Sequence, residues 1–372
     1  MKDIKDIFGW NMGFERSIRP FLIAGNCAAE TPEQLNSTAL GVKDAGAQLF
    51  RAGIWKPRTR PNSFEGLGET ALPWLIEAGK LANLPTCTEI ATPQHAEAAL
   101  KAGVDILWIG ARTSVNPFAV QDIADCLAGT DTPVLVKNPV NPDLELWLGA
   151  IERLYNAGLR RIAAIHRGFS VYNKTKYRNE PLWEIAVELR RRLPQMTIIN
   201  DPSHIAGHSD FLQEIAQTAL DMGFDGLMIE SHPNPPQAWS DAKQQIRPDE
   251  LRQLITGLQN RESSSDNAIF TLNLEQLRAE IDEFDFQILS LLSKRMEIAR
   301  QIGDFKQAHN VAILQMERWN AIYKSRTREA SSLQLSNEFV AEVWNAIHKE
   351  SIQQQTAILQ QKTTPEQVLG TK

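Results

Sequence analysis

Residues 197–232 read TIINDPSHIAGHSDFLQEIAQTALDMGFDGLMIESH, and this stretch decides the fold of the first part of the chain. Two short runs in it, TIINDPSH (197–204) and GLMIESH (226–232), begin with apolar residues, as is typical of strands buried on both faces of a parallel sheet. The segment FLQEIAQTALDMG (211–223) between them is amphipathic, which predicts a crossover helix. Gly223 stands at the end of that helix, where a C-terminal cap favours glycine.

The same alternation of strand and helix runs through the preceding sequence. Six further apolar runs of strand length are PFLIAGNC (20–27), AQLFRAGI (47–54), LPTCTEI (84–90), ILWIGA (106–111), PVLVKN (133–138) and RIAAIHR (161–167). Eight strands that alternate with helices predict an α/β fold, the TIM (β/α)8 barrel. A doubly wound open sheet is the alternative, and the lack of a GxGxxG motif disfavours it.

The alternating pattern stops at the polar stretch NRESSSDNA (260–268), and the sequence beyond it is purely helical in pattern. Helices are predicted over residues 273–308, 314–330 and 336–359. We expect a barrel domain over residues 1–259, a linker over 260–271, a small all-α domain over 272–361 and a disordered tail over 362–372.

Charge and composition exclude several classes of protein. The 372 residues carry a net charge of −6, so there is no basic excess to neutralise the phosphates of a nucleic acid. No apolar run is long enough to cross a membrane, and the polar N-terminus does not resemble a signal peptide. The three cysteines do not show the spacing of a disulfide framework, which favours a reducing compartment. We therefore expect a cytoplasmic protein.

Polar or charged side chains stand at the end of each predicted strand, at the catalytic face of a TIM barrel. In chain order they are Cys27, Arg51, Glu89, Arg112, Lys137, Arg167, His204 and Glu230. Lys56, Arg58 and Arg60 add cations in the loop after the second strand. Because like charges repel, we interpret this basic cluster as a pocket for phosphorylated anions, and a solvated basic rim is the alternative.

A second set of strand-end residues has the donor types of a metal site. The candidate ligands are Cys27, His204, Glu230 and Asp241. Strand eight neighbours strand one in a closed barrel, so side chains that follow strands one, seven and eight can meet. One thiolate, one imidazole and two carboxylates suit a divalent transition metal better than magnesium or calcium. Each residue alone also has an ordinary structural explanation, and only the combination favours a metal.

Five short motifs in the barrel carry a family resemblance. They are GNC (25–27), KPRT (56–59), IGAR (109–112), DPSH (201–204) and ESHPNPPQAWSDAKQQI (230–246). On these motifs, residues 16–258 resemble the type I-beta class of 3-deoxy-D-arabino-heptulosonate 7-phosphate (DAHP) synthases. KPRT argues against the alternative of a synthase for a different aldose phosphate. The stretch IAGHSD after DPSH departs from the family pattern and leaves His208 without a functional role.

The resemblance implies condensation of phosphoenolpyruvate with erythrose 4-phosphate, assisted by one divalent ion of manganese, iron, cobalt or zinc. This metal, held by the four candidate ligands, would polarise the aldehyde for attack by the methylene carbon of phosphoenolpyruvate. Phosphoenolpyruvate would be held by Arg112, Lys137 and Arg167, with Arg51 and Lys56 at the same end. The sugar phosphate would be reached by Lys56, Arg58 and Thr59. Lys56 is also the implied proton donor to the aldehyde oxygen.

The first predicted helix of the second domain (273–308) is too long for one copy of that domain. Its residues would span roughly 54 Å at about 1.5 Å each, whereas a domain of about 95 residues is only about 30 Å across. We therefore expect an intertwined homodimer held by the helical domain. A helix that breaks near Gly303 is the alternative.

Cations recur along this helix at nearly whole numbers of turns. Arg278 and Arg295 are 17 residues apart and Lys306 follows 11 residues later, so the three share one stripe. A charged stripe is usually a solvated face. Here, however, LRAEIDEFDFQILSLLSKRMEIARQIGDFK (277–306) resembles the all-helical chorismate mutases, and the resemblance covers nearly all of residues 272–360.

This second resemblance implies the rearrangement of chorismate to prephenate, which needs no metal or nucleophile. Catalysis then depends on binding the dianion in its folded conformation and stabilising its polarised ether oxygen. The implied substrate contacts are Arg278 of the partner subunit, Arg295, Lys306, Arg318, Ser351 and Gln355, with Lys306 and Gln355 at the ether oxygen. Trp319 and Gln315 stand where relatives carry acidic residues, so a non-catalytic regulatory and dimerisation module is the alternative.

The helical domain is also the predicted control element, because the barrel pattern already begins near residue 20. We hypothesise that prephenate, bound at Arg278, Arg295 and Lys306, inhibits the synthase reaction. The flexible linker would allow the ligand to shift the packing of the two domains.

Overall fold

Eight parallel strands close into a barrel in the first part of the chain. The structure is a computed structural model that describes residues 20–57, 63–172, 175–261 and 264–361. The strands are β1 (Phe21–Asn26), β2 (Leu49–Ala52), β3 (Thr86–Ile90), β4 (Ile106–Ile109), β5 (Val134–Lys137), β6 (Ile162–His166), β7 (Thr197–Asn200) and β8 (Gly226–Glu230). They follow one another in sequence order, and β8 pairs with β1 so that Gly25 lies opposite Glu230. The predicted TIM barrel is confirmed, and the open-sheet alternative is wrong.

Helices connect the strands and cover the outside of the barrel. They are α1 (Pro32–Asp44), α2 (Leu72–Ala82), α3 (Pro93–Ala102), α4 (Pro117–Leu127), α5 (Leu144–Asn156), α6 (Trp183–Arg192), α7 (Pro202–Ala206), α8 (Leu212–Asp221) and α9 (Pro248–Thr256). Their starts follow from local sequence, because Thr31, Thr92 and Asn116 accept backbone N–H groups at the first turns of α1, α3 and α4. Gly223 follows α8 with a φ of +76°, as a C-terminal cap requires.

The run predicted as one strand over residues 197–204 is divided between β7 and α7. β7 ends at Asn200, and the Asp201 side chain then accepts the backbone N–H of His204. Pro202 has no N–H for a sheet ladder and is favoured at the first position of a helix. His204 therefore projects from a short helix, and its placement at the end of a strand was wrong.

Side chains from all eight strands fill the interior of the barrel. They are Ile23, Leu49, Cys87, Ile106, Trp108, Leu135, Ala163, Ile165, Ile199 and Met228, all fully buried. A second core lies between strands and helices and includes Phe50 and Trp147. Because the interior is packed, ligands reach the barrel only at its ends, and the polar residues gather at the C-terminal end of the strands.

The second compact unit begins at Ser264, and its described residues, 264–361, form helices joined by short loops. It contains α10 (Ala268–Ala308), α11 (Met316–Ala330) and α12 (Asn337–Gln361). α10 runs unbroken through Gly303, so the predicted long helix is confirmed and the alternative of a break there is wrong. A Cβ atom at Gly303 would lie 3.1 Å from Ile358 Cδ1 and 3.3 Å from the Cα of Gln355. Glycine at this position therefore allows α12 to pack closely on α10.

α10 begins earlier than the sequence pattern indicated. Its first residue, Ala268, lies inside the predicted linker (260–271), because the Asn267 side chain caps the helix by accepting the N–H groups of Ile269 and Phe270. The predicted disordered tail lies outside the described residues. Among the helices of the described ranges, none combines the length and the apolar composition that a membrane span requires.

Candidate active sites

Three of the predicted anion-binding cations are buried at the C-terminal end of the barrel. Arg51 lies on β2, Lys137 ends β5 and Arg167 follows β6. Lys137 Nζ lies 2.7 Å from Asp201 Oδ2, and Arg51 Nη2 lies 3.1 Å from Glu230 Oε1. Arg51 Nε and Nη1 are also buried but find no hydrogen-bond partner among the described residues. A buried donor left unpaired costs roughly 1–3 kcal/mol, so these groups favour an anionic ligand.

The environment of Arg167 shows how many cations surround this pocket. Its Nη1 donates to Asn179 Oδ1 at 2.9 Å. Burial, together with the nearby cations Arg178 and Arg112, lowers the pKa of Arg167 to about 10. Arg112 is exposed, two residues beyond Gly110 in the loop after β4. An anion bound among these cations would relieve their mutual repulsion.

Cys27 follows β1 and is fully buried. Its Sγ lies 3.0 Å from Lys56 Nζ and 3.4 Å from Asp241 Oδ2, and Ser240 Oγ donates to it at 3.3 Å. Burial, together with the nearby Glu230 carboxylate, raises the pKa of the Cys27 thiol to about 12. Lys56 Nζ also donates to the Cys27 carbonyl oxygen at 2.6 Å. The predicted proton donor and the first candidate metal ligand are thus in contact.

Arg58 and Thr59, the other two predicted contacts to the sugar phosphate, lie outside the described residues. Their neighbour Lys56 is half-buried, and its backbone N–H donates to Glu65. In the described part of the loop after β2, Lys56 lies beside Cys27, one of the candidate metal ligands.

His204 and Glu230 form a second pair of candidate ligands, with 3.8 Å between His204 Nε2 and Glu230 Oε1. His204 Nδ1 lies 2.8 Å from Asp201 Oδ2, the arrangement by which a carboxylate orients a metal-binding imidazole. Burial lowers the pKa of His204, which favours the neutral ring that a metal requires. Burial acts to raise the pKa of Glu230, but His204 and Arg51 outweigh it and hold Glu230 as a carboxylate.

The four candidate ligands are neighbours, but they do not surround one point. Within the described ranges, no three His, Cys, Asp or Glu side chains are grouped so that they could hold one ion. Three of the four candidate ligands each lie beside a cation of the protein. These pairs are Cys27–Lys56, Glu230–Arg51 and Asp241–Arg178, the last with 3.0 Å between Asp241 Oδ1 and Arg178 Nη1. The donor types match a transition-metal site.

In the helical unit, α10 and α12 pack together and carry the predicted mutase residues Arg295, Lys306, Ser351 and Gln355. Arg295 Nη1 donates to Ser351 Oγ at 2.6 Å. Gln355 lies one turn further along α12, and its buried Oε1 has no partner in the described part of the chain. Lys306 Nζ donates to the carbonyl oxygen of Ile313. Burial lowers the pKa of both Arg295 and Lys306, as expected of cations held in a partly dry pocket.

The other two predicted mutase cations are not part of this cluster within one chain. Arg278 and Arg318 are both exposed. Arg278 lies about 25 Å along α10 from Arg295, at about 1.5 Å per residue. A single chain therefore does not assemble the complete set.

Gln315 and Trp319, which stand where acidic residues were expected, have structural contacts of their own. Gln315 is the N-cap position of α11. Trp319 stacks on His348 of α12, with 3.8 Å between the ring centroids and an interplanar angle of 11°. Arg295 is close enough to His348 to lower its pKa together with burial, which is the larger cause. The aromatic stack therefore borders the Arg295 cluster.

Comparison with known families decides what these two sites belong to. Residues 15–265 match the model of the DAHP synthetase I family. The chain belongs to that family. Residues 277–356 match a second model, chorismate mutase type II, so this DAHP synthase carries a mutase domain after its barrel. The two domains make it a bifunctional enzyme of the shikimate pathway.

Individual relatives agree with this assignment for the barrel. A phospho-2-dehydro-3-deoxyheptonate aldolase of Thermotoga maritima is 33% identical over 238 residues, which cover 63% of this chain and 67% of that protein. A 2-dehydro-3-deoxyphosphooctonate aldolase of Azoarcus sp. is 26% identical over 63% of this chain and 88% of its own length. The crystal structure of a Thermotoga maritima DAHP synthase aligns with a TM-score of 0.58 and 30% identity, over 63% of this chain and 67% of that one.

Three residues of the candidate barrel site were missed by sequence reasoning. Asp201 contacts both Lys137 and His204, and Gln244 links Glu230 to Arg178 through its amide. Asp201 and Gln244 lie inside motifs quoted above, which was a signal for both. Arg178 lies outside those motifs, and only the folded structure places it beside Asp241.

Proposed function

We propose that the barrel condenses phosphoenolpyruvate with erythrose 4-phosphate to DAHP and phosphate, and that the helical domain converts chorismate to prephenate. The observation that carries the first part is the pocket around Arg51, which has two buried N–H groups free for an anion. Lys137 and Arg167 are buried in the same pocket, as the phosphate and carboxylate of phosphoenolpyruvate require. The carbon–carbon bond forms between the methylene carbon and the aldehyde carbon. Water then adds to the phosphate-bearing carbon, and phosphate leaves.

A divalent transition metal fits the chemistry of the donor set beside this pocket. Cys27, His204, Glu230 and Asp241 would hold it, and Asp201 already orients His204. When bound, the metal supplies Lewis-acid polarisation of the aldehyde carbonyl. The identity of the metal is left open among manganese, iron, cobalt and zinc.

Lys56 is the residue that we assign to proton transfer in the synthase reaction. Its Nζ contacts both the sulfur and the carbonyl oxygen of Cys27, which places an ammonium group directly beside a proposed metal ligand. From there Lys56 can donate a proton to the aldehyde oxygen as that oxygen gains charge. Arg58 and Thr59 would complete the contacts to the sugar phosphate.

The mutase proposal rests on the cluster at α10 and α12. Ser351 fixes the guanidinium of Arg295, which would bind one carboxylate of chorismate. Gln355 and Lys306 would donate to the ether oxygen, where negative charge develops in the rearrangement. Arg318 and the partner subunit's Arg278 would complete the grip on the dianion.

One observation favours the alternative of a regulatory helical module without mutase activity. Trp319 is occupied in a stack with His348, so an acidic contact to the substrate hydroxyl is missing at that position. Chorismate turnover by the purified chain separates the two possibilities.

The proposed pair of reactions is tested by assaying the full chain with both substrate sets, with and without a metal chelator. We expect DAHP formation that the chelator abolishes and prephenate formation that it leaves unchanged, because only the barrel site uses metal ligands. A panel of aldose phosphates tests the sugar. Preference for a five-carbon over a four-carbon aldose phosphate would contradict the proposed substrate, and chelator-resistant DAHP formation would contradict the metal.

We propose that the helical domain forms a homodimer. α10 contains 41 residues, which span about 60 Å. One stripe of α10 is apolar but 53–65% exposed in the single chain. Its members are Leu277, Ile281, Phe284, Ile288 and Leu291. Exposed apolar stripes of this size are stabilised by a partner surface, and a second copy would also supply the distant Arg278.

Truncation should change the oligomeric state. Removing all residues after 262 deletes the exposed apolar stripe of α10, so the isolated barrel should lose the contact that joins two full-length chains. Sedimentation velocity of both proteins reports this directly. The dimer proposal would be wrong if the truncated barrel kept the full-length oligomeric state.

We also propose that prephenate, bound at Arg278, Arg295 and Lys306, inhibits the synthase. A tenfold effect requires only about 1.4 kcal/mol of differential affinity between two domain arrangements. Titration of prephenate should therefore lower DAHP formation by the full chain and leave the isolated barrel unaffected. An equal response in both proteins, or none in the full chain, would rule out control through the helical domain.

A further inference from the structure

A buried indole lies directly beneath the cations of the barrel pocket. Trp108 on β4 points into the barrel interior and is fully buried. The guanidinium carbon of Arg51 lies 4.8 Å from the centre of its ring, and Lys137 Nζ lies 5.7 Å from it. Both distances are within the range of cation–π attraction. One aromatic side chain thus contacts two of the cations proposed to hold phosphoenolpyruvate.

A hydrogen bond at the edge of this ring fixes its orientation. Trp108 Nε1 donates to Glu89 Oε2 at 3.2 Å, at the end of β3. The Glu89 carboxylate is itself confined, because a Cβ atom at Gly110 would lie 2.0 Å from Glu89 Oε1. Glycine at 110 therefore leaves the space in which the carboxylate holds the indole.

The chemistry of an aromatic face suits this position. Arg51 and Lys137 each already contact one carboxylate, Glu230 and Asp201, which offsets part of the cost of burying the cations. A further carboxylate beneath them would neutralise the pocket. The indole face attracts cations through its quadrupole but carries no net charge. It stabilises the two cations and leaves their charge available to a substrate.

We infer that Trp108 is a positioning residue for anion binding, which holds Arg51 and Lys137 under the phosphoenolpyruvate site without neutralising them. This inference rests on the proposed function of the barrel. Arg51 and Lys137 already contact Glu230 and Asp201 in the presence of the ring. Without it, Arg51 can turn its free Nε and Nη1 groups toward Glu230 as well, and Lys137 is drawn more tightly to Asp201. Both cations must then give up more of their carboxylate contact before they bind an anion, so affinity falls.

Two substitutions at Trp108 distinguish the contribution of the aromatic face from that of the N–H group at the ring edge. Trp108→Met keeps a bulky apolar side chain but has no aromatic face, and we expect it to weaken binding of phosphoenolpyruvate and raise its KM about tenfold. Trp108→Phe keeps a face and loses only the N–H to Glu89, so its KM should stay within about threefold of the native value. In both variants kcat and the KM for erythrose 4-phosphate should change little.

The matched control is Trp147→Phe. Trp147 is also fully buried in the barrel unit and donates its Nε1 proton to the Val136 carbonyl oxygen, but it lies in the core outside the barrel interior. This variant should lose stability while keeping the native KM. Phosphoenolpyruvate should change the tryptophan fluorescence of the native protein and of Trp147→Phe, and that change should be largely lost in Trp108→Phe.

Other results would overturn the inference. A Trp108→Met variant that unfolds at lower temperature but keeps the native KM, or a fluorescence change that persists in Trp108→Phe, would show that the indole only fills space. Inorganic phosphate serves as a second probe in the same titrations. A native protein that binds phosphate with the Trp108 signal but does not bind phosphoenolpyruvate would refute the proposed substrate and keep the inference. Binding of neither anion would refute both.

Discussion

The Cys27→Ser variant is expected to lose synthase activity and metal affinity by about a hundredfold or more. Replacing even an outer partner of a metal ligand typically costs roughly 10–100-fold in affinity, and Cys27 would be a ligand itself. A neutral hydroxyl is a much weaker donor to a transition metal than a thiolate. Metal affinity is measured by competition with a coloured chelator, and activity by the consumption of phosphoenolpyruvate.

The fold should tolerate this change, which keeps the experiment interpretable. The groups around Cys27 Sγ are Lys56 Nζ, Ser240 Oγ and Asp241 Oδ2, and a hydroxyl can form hydrogen bonds with all three. Cys126→Ser is the matched control, because Cys126 is half-buried beside the Pro93 carbonyl oxygen and away from the proposed ligands. Native metal affinity in Cys27→Ser, or an equal loss in Cys126→Ser, would contradict the assignment of Cys27 as a metal ligand.

Lys306→Ala is expected to abolish chorismate turnover while leaving DAHP formation, without effectors, nearly intact. Loss of one preorganised donor to developing charge costs roughly 10²–10³ in rate. The barrel reaction should be spared because Lys306 belongs to the separate helical unit. Prephenate formation and DAHP formation are measured on the same preparation.

Lys306 also has a structural contact, which needs its own control. Its Nζ donates to the carbonyl oxygen of Ile313, between α10 and α11, so the variant could lose stability. Thermal unfolding distinguishes this from loss of the donor. Lys324→Ala removes an exposed lysine of α11 and should leave both activities unchanged. Normal chorismate turnover in a folded Lys306→Ala protein would refute the mutase site on this stripe.

Local sequence was sufficient for the architecture. The barrel and the helical unit were predicted from apolar runs such as 106–111, amphipathic segments such as 211–223 and the polar linker. This was possible because the spacing of apolar residues and the backbone propensity are properties of the local sequence. The same reasoning placed Arg51, Lys137 and Arg167 together, since parallel strands in a closed barrel bring their C-terminal ends to one face. Boundaries were less secure: Pro202 ended β7 early, and the Asn267 cap extended α10 into the linker.

What the sequence determined by itself is therefore the order of elements and the face on which the cations and donor atoms meet. Only the tertiary structure decided which atoms pair. Arg178 reaches Asp241, and the Trp108 ring reaches Arg51 and Lys137, although the residues in each contact are far apart in the sequence. Such contacts depend on side-chain direction and on distances of a few ångströms between elements. A one-dimensional pattern of apolar and polar residues carries no information at that scale.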